Sequence, residues 1–397
     1  MSFRENYRVS RVAIGYFYIN KVLGIFPFSY DHCQKIFKTS FPSVLYSLLL
    51  AISTVFLYSQ LINSFQAFLD TIFTSPLAKF ISVFQSVYLC FEIVCVQLIN
   101  IYYGKSLVNY LNNKFEFELR LNLVSKKIYR KNYYALLSLS TSVIFGMKMI
   151  LNYLLITTWN DAGGLVVLAA CLHMIPYAAG TLIGCSFSME VISLRSLAAQ
   201  INYTLMELSK TFQDLPERVS RLQKLNLSCQ TCDKVDELMT LHSQLNKTIK
   251  KYNEFQNIVL FLYYSNKFME IIIPIFYEYL YFMGHSKIET TFGAYVISSK
   301  LNVLNSIELM TTACCSQKLF NEMRKTGRIL HEFPVHQTDS RLKESIYRFS
   351  TQILQENRPI SIFGMFTVDN TLLYAMVSAM TSYLILLIQF QQQESQL

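Results

Sequence analysis

The stretch from Ser361 to Phe390, SIFGMFTVDNTLLYAMVSAMTSYLILLIQF, constrains this chain more than any other. Between Phe366 and Phe390 the only charged residue is Asp369, near the start. A helix of roughly 20 apolar residues crosses the hydrocarbon core of a bilayer, so the spacing predicts a spanning helix. Its polar residues Thr371, Ser378, Ser382 and Gln389 recur at i, i+7, i+11 and i+18. At about 100° per residue they fall within roughly 40° of one another. The other faces carry Leu, Ile, Val, Met, Tyr and Phe. Two readings of this stripe stay open at this point: a contact between helices, where Ser and Thr are common, or the wall of a water-filled pore shared by several copies.

The rest of the chain agrees with a polytopic membrane protein. Only 15% of its 397 residues are charged and 52% are hydrophobic, against about 25% charged in soluble domains. Six further apolar runs read as spans at about 41–65, 77–102, 134–158, 165–191, 257–283 and 290–315. The expected fold class is therefore an all-α membrane protein with seven transmembrane helices. Residues 1–40 are mixed and basic, without the apolar core and cleavage site of a leader.

Charge placement predicts the orientation. Of the 35 Lys and Arg, 30 lie in four alternate segments, 1–40, 103–133, 192–254 and 316–362. The intervening connections, 66–76, 159–164, 284–292 and 391–397, hold only Lys287. By the positive-inside rule the N-terminus is cytoplasmic and the C-terminus extracellular. The basic segments alternate strictly with apolar runs and carry no nucleic-acid motif, so no nucleic-acid partner is expected. Residues 103–133, 194–213, 235–256 and 316–333 read as helical extensions of the spans, Pro216 to Cys232 as a polar loop, and 339–356, after the break at Pro334, as a further amphipathic helix. The sequons at Asn202, Asn226 and Asn246 fall on the cytoplasmic side and are expected to stay unglycosylated.

No catalytic residues, cofactor or metal site are expected, and the chain does not read as an enzyme: GxSxG, HExxH, P-loop and dinucleotide fingerprints are all missing. Cys229 and Cys232 have CxxC spacing but no second pair or His cluster. Ionisable residues inside spans are functional candidates. Lys300 shares a face with Glu308, and Lys267 lies one turn from Glu270, so each pair reads as a local ion pair toward the inner half; Glu278 has no close local partner. Aromatic and polar residues gather in the outer halves of the spans: Tyr88, Tyr153, His173, Tyr177, Tyr277, Tyr295 and Ser298. Apolar walls with a few polar groups suit a small-molecule pocket, and they are also ordinary membrane packing.

The C-terminal stretch resembles the insect gustatory receptor family. That family's signature is Thr-Tyr, five hydrophobic residues, then Gln-Phe. Here it reads Ser382-Tyr383-Leu384-Ile385-Leu386-Leu387-Ile388-Gln389-Phe390, with Ser in place of Thr. Gly364–Asn370, Phe349–Gln352 and Glu322–Arg328 add to the likeness, which is close over roughly the last 80 residues. The resemblance implies a ligand-gated, non-selective cation channel related to insect odorant receptors. Four subunits, copies of this chain or related receptors, would surround one pore. Gln389 and Phe390 would form the gate, with Ser382 and Tyr383 supporting the helix and Thr371 and Ser378 along its stripe. It implies a division into a cytoplasmic segment 1–40, a six-helix ligand-binding unit 41–315, cytoplasmic anchor helices 316–360, and a pore helix with a short extracellular tail 361–397. The implied partners are membrane lipid and a small tastant, a bitter compound or a contact pheromone; the implied location is the plasma membrane of chemosensory neurons.

Two rivals predict other features. A G-protein-coupled receptor would place its N-terminus outside and carry Asp-Arg-Tyr and Asn-Pro-x-x-Tyr motifs, which are missing here. A secondary transporter would show internal repeats, and none is visible.

Overall fold

The computed structural model describes residues 11–72, 75–125, 131–157, 164–213, 220–284, 292–333, 340–356 and 358–394. Ten helices and two short hairpins are present among them. Helix α1 (Arg11–Val22) leads into a hairpin of β1 (Phe28–Asp31) and β2 (Ile36–Thr39). The long helices follow: α2 (Phe41–Ile72), α3 (Pro76–Tyr102), α4 (Gly104–Val124), α5 (Lys131–Thr157), α6 (Gly164–Gln213), α7 (Arg221–Phe282) and α8 (Phe292–His331). Then come α9 (Ser340–Glu356), a hairpin of β3 (Ser361–Ile362) and β4 (Phe366–Thr367), and α10 (Asn370–Glu394).

The N-terminal hairpin was not legible in the sequence. It closes over an aromatic cluster in which Phe28 touches the rings of Phe17, Phe26 and Phe37. Asn112 of α4 bonds both the backbone N–H and the carbonyl of Phe37, at 3.0 and 2.9 Å. It satisfies the strand edge as another strand would. Gly24 makes the preceding turn with φ +68°, and a Cβ there would lie 2.9 Å from Leu50. Only glycine meets both demands.

Five helical stretches are long and apolar enough to cross a membrane among the described residues: Phe41–Gln60, Pro76–Tyr102, Pro176–Thr211, Leu225–Phe282 and Asn370–Glu394. Helix α5 contributes a shorter apolar run, Ser142–Leu154. The chain is thus an all-helical, multi-pass membrane protein. Helix α7 runs 62 residues, about 90 Å at 1.5 Å per residue, three times a bilayer core. Its start corrects the loop expected up to Cys232. Ser220 and Gln223 form a reciprocal capping box, so the helix begins at Arg221 and both CxxC cysteines are helical.

Beyond the spans, α9 packs lengthwise on the first half of α7, burying Leu342, Ile346, Phe349 and Ile353. Arg341 pairs with Asp233 at 2.9 Å, and Ser243 donates to Glu356 at 3.0 Å. Asn202, in one of the sequons, is 2% exposed and holds α6 to α8, donating to Glu322 and accepting from Thr326. A glycan has no room there. The expected connections at 159–164 and 284–292 fall largely outside the described residues.

Candidate functional site

Helix α10 is positioned by chemistry at both ends. At its start, β3 and β4 are joined by a turn in which Phe363 and Gly364 have φ of 51° and 71°. Asn253 and Asn257 of α7, one helical turn apart, accept the N–H groups of Ser361 and Phe363. Asp369 then caps the helix, accepting from the N–H and hydroxyl of Thr371 and from the N–H of Leu372. At its far end, Ser75 approaches Gln391 Oε1 at 2.6 Å and Glu394 Oε2 at 2.7 Å, while Leu77 N–H donates to Glu394 at 3.4 Å. Ser75 also N-caps α3, so the Glu394 carboxylate sits at the positive end of that helix, a favourable place for a negative charge.

Between these ties one face of α10 is packed and the other bare. Leu384 and Leu387 pack against Ala78, Phe276 and Leu280, and the Tyr383 ring meets Phe268 edge-on at 5.7 Å. Thr371, Ser378, Ser382, Gln389 and Phe390 are exposed in the single chain. The hydroxyl of Ser382 bonds the Ser378 carbonyl one turn back. Along α10 only Met376 and Gln391 are buried.

A second feature lies inside the bundle. Glu308 of α8 accepts from Lys148 of α5, lies 3.2 Å from Lys267 of α7, and accepts from Tyr263 at 3.0 Å. Lys267 also holds Glu270 at 2.6 Å, and Asn266 donates to Glu270 at 3.0 Å. Tyr177 of α6 lies beneath Lys148, 5.1 Å from ring centre to Nζ, and its hydroxyl donates to Asn305. All five ionic and amide groups, Lys148, Lys267, Glu270, Glu308 and Asn266, are at most 3% exposed. Burying charge in this way demands pairing, and two lysines against two glutamates supply it.

The fifth ionisable group is Glu92 of α3, 1% exposed. Glu92 Oε1 and Asn266 Oδ1 are buried acceptors with no donor among the described residues. Both side chains face the same glycine: a Cβ at Gly180 would lie 3.4 Å from Asn266 Nδ2 and 3.8 Å from Glu92 Oε2. The absence of a side chain at Gly180 lets the Asn266 amide nitrogen and one Glu92 oxygen pack against the α6 backbone. Gly184, one turn on, lets Glu308 and Tyr263 approach the α6 backbone; a Cβ there would lie 2.5 Å from both.

This geometry corrects the local pairings expected from spacing. Glu308 pairs across helices with Lys148 and Lys267, while Lys300 is exposed. Lys267 and Glu270 do pair, but in the dry interior. Glu278 accepts from Ser299 at 2.7 Å. Of the expected pocket residues, Tyr177 joins the polar cluster. Tyr277 bonds Ser82 beside the α10 contact. Tyr88 and Ser298 are half-buried. Tyr153 points outward at 64% exposed, since its helix turns a different face to α6 and α8. The His173 and Tyr295 side chains lie outside the described residues. Lys148, Asn305, Tyr263 and Asn266 were missed as site residues; the signal available for Lys148 was its charge within an apolar run.

Fold and site together define a multi-pass helical membrane protein with a buried polar cluster and one apolar helix bare along one face. The chain belongs to the 7tm chemosensory receptor family, whose sequence profile matches residues 15–394. It is similar to putative gustatory receptor 28b of Drosophila melanogaster, 25% identical over 39% of this chain and 34% of that one. Gustatory receptor for bitter taste 93a of the same organism is 25% identical over 45% of this chain and 41% of that one. Gustatory receptor 68a is 27% identical over 61% and 63%. Each match spans less than two thirds of the relative. The fold is shared with the insect olfactory receptor OR5 from Machilis hrabei, at a TM-score of 0.63 and 12% identity over 95% of this chain and 97% of that one. The same receptor in complex with eugenol gives 0.61 and 13% over 96% and 97%.

Proposed function

We propose that this receptor is a ligand-gated cation channel whose pore is lined by α10 from four subunits. The observation that carries the reading is the exposed face of α10, with Thr371, Ser378, Ser382 and Gln389 in one row. An apolar helix with one face left bare by its own chain is covered there by lipid or by other copies. A row of hydroxyl and amide groups fits water better than lipid. Phe390 and Gln389 close the row at the Ser75 end and form the gate, where a ring of four Phe390 side chains resists ion entry by dewetting.

The orientation follows from charge: seven spans, N-terminus and the α7–α9 layer in the cytoplasm, C-terminus outside. The division at 40, 315 and 360 then separates a cytoplasmic segment, a ligand-binding unit, anchor helices where subunits meet, and the pore helix. The ligand is a small molecule recognised within the helix bundle, where Glu92 Oε1 and Asn266 Oδ1 are acceptors without a donor among the described residues. A bitter compound or contact pheromone agrees with relatives named for bitter taste and as a pheromone receptor. Ligand binding opens the pore by favouring the wider state. The receptor works at the plasma membrane of chemosensory neurons, alone or with related subunits.

The test is ligand-evoked current in a heterologous cell, for the native receptor and for Phe390→Ala. A basal leak or altered gating in the variant is expected; an unchanged response removes Phe390 from the gate. An epitope after Leu397 that antibodies reach only in permeabilised cells overturns the orientation.

A further inference from the structure

The α9 end of the bundle carries a cavity of about 330 Å³ between α6 and α8, within the range of about 300–1,000 Å³ usual for small-molecule sites. Four basic residues line it: Arg195 from α6 and Lys318, Lys325 and Arg328 from α8. Two acidic residues, Glu322 and Glu332, also line it with Asn321 and Ile329. Glu322 is already engaged as an acceptor from Asn202 at 2.9 Å. Lys318, Lys325 and Arg328 are exposed, and no acidic partner lies within ion-pair distance of them among the described residues. Arg324, next to them in sequence, turns to the Phe320 ring instead.

Cations gathered in a concavity repel one another, and an anion with several charges relieves that repulsion. The position narrows the choice. Arg195 and Lys318 follow the apolar runs read from the sequence at 165–191 and 290–315 within about one helical turn, which puts them near the level of lipid headgroups on that reading. Basic pockets between helices at this depth suit phosphorylated headgroups. We infer that this cavity binds a polyphosphorylated inositol headgroup, with Lys318, Lys325 and Arg328 as its phosphate donors and Arg195 at its floor. α6 and α8 both continue into the polar cluster around Glu308, so a ligand bridging them here bears on the same two helices. That the site faces the cytoplasm rests on the orientation proposed above; its existence does not.

The test uses the purified full-length receptor in phosphatidylcholine nanodiscs, which expose both faces. The probes are soluble inositol trisphosphate and phosphatidylinositol bisphosphate placed in the disc. Lys318→Gln/Lys325→Gln/Arg328→Gln is compared with Arg324→Gln/Lys343→Gln/Arg348→Gln, which removes as many charges outside the cavity. The cavity variant is expected to bind about a hundredfold more weakly, and the control within about twofold of the native receptor. Tighter binding of the lipid than of the soluble probe identifies a membrane source; equal binding identifies a soluble phosphate. Failure of the native receptor to bind either probe overturns the inference, as does equal weakening in both variants. Binding is read without current, so the result stands apart from the channel reading.

Discussion

The Ser75 side chain lies 2.6 Å from the Gln391 side-chain oxygen, joining the first residue before α3 to the last turn of α10. Glu394 reaches the same hydroxyl at 2.7 Å. A serine has one proton to donate, so the two acceptors share it while Ser75 itself accepts from Ala78 N–H. The far end of α10 is therefore held by the same atom that starts α3.

Ser75→Ala removes an N-cap, worth about 1 kcal/mol, and the tie to α10 together. Glu394→Gln weakens the same contact from the other side. In a double-mutant cycle on thermal unfolding of the receptor, the two changes are expected to couple by about 0.5–3 kcal/mol. Strict additivity removes this contact from the working receptor.

Lys148→Met leaves Glu308 sharing Lys267 with Glu270 in the dry interior. Removing one partner of a buried pair costs about 3–5 kcal/mol. The double variant Lys148→Met/Glu308→Met leaves Lys267 and Glu270 balanced and is expected to recover about half of that loss. Unfolding midpoints in detergent, together with cell-surface yield, measure both.

Two glycines should respond in opposite directions. Gly184→Ala places a methyl 2.5 Å from Glu308 and Tyr263, and overpacking of this kind costs about 1–3 kcal/mol. Gly146, within α5, has nothing within 4 Å of its added Cβ. Gly146→Ala is expected to be neutral or stabilising by up to about 1 kcal/mol. A Gly184→Ala receptor as stable as the native one would show that α6 stands further from α8 than described.

His242, in the part of α7 before its span, gives the α7–α9 layer a pH dependence. Its ring is fully buried against Phe349, with Asn246 at 3.3 Å. Burial lowers its pKa to about 4, against the opposing pull of the Glu356 carboxylate. Once unfolded, the ring titrates near 6.5. Folding is therefore unaffected by this group above about pH 6.5 and is progressively weakened as the pH falls toward 4, by up to about 3 kcal/mol. His242→Gln should flatten that part of the stability profile, measured by denaturant unfolding across the interval. An unchanged slope assigns the acid sensitivity to other groups.

Much of α10 was legible in advance because its information is local. The period of its polar residues and the Ser382–Phe390 signature lie within one helix, whereas the Asp369 cap is seen only in the structure. The amphipathic pattern of Leu342, Ile346, Phe349 and Ile353 likewise announces the buried side of α9. The N-terminal hairpin was hidden because its short strands are stabilised by Asn112 and by aromatic residues far along the chain. The helical start of α7 was hidden because its polar composition resembles a loop until the Ser220–Gln223 cap is recognised.

By itself the sequence determined that long apolar helices cross a membrane, that α10 carries a single polar row, and that Gln389 and Phe390 end it. Helical period and apolar length fix those features without reference to any neighbour. Only the tertiary structure decided which charges meet. Lys148 finds Glu308 160 residues away, Ser75 finds Gln391, and Glu92 and Asn266 turn to the same glycine. Such encounters depend on how each helix is rotated about its axis when it packs. That rotation is set by the fit of all the side chains between helices at once, which spacing along one helix does not record.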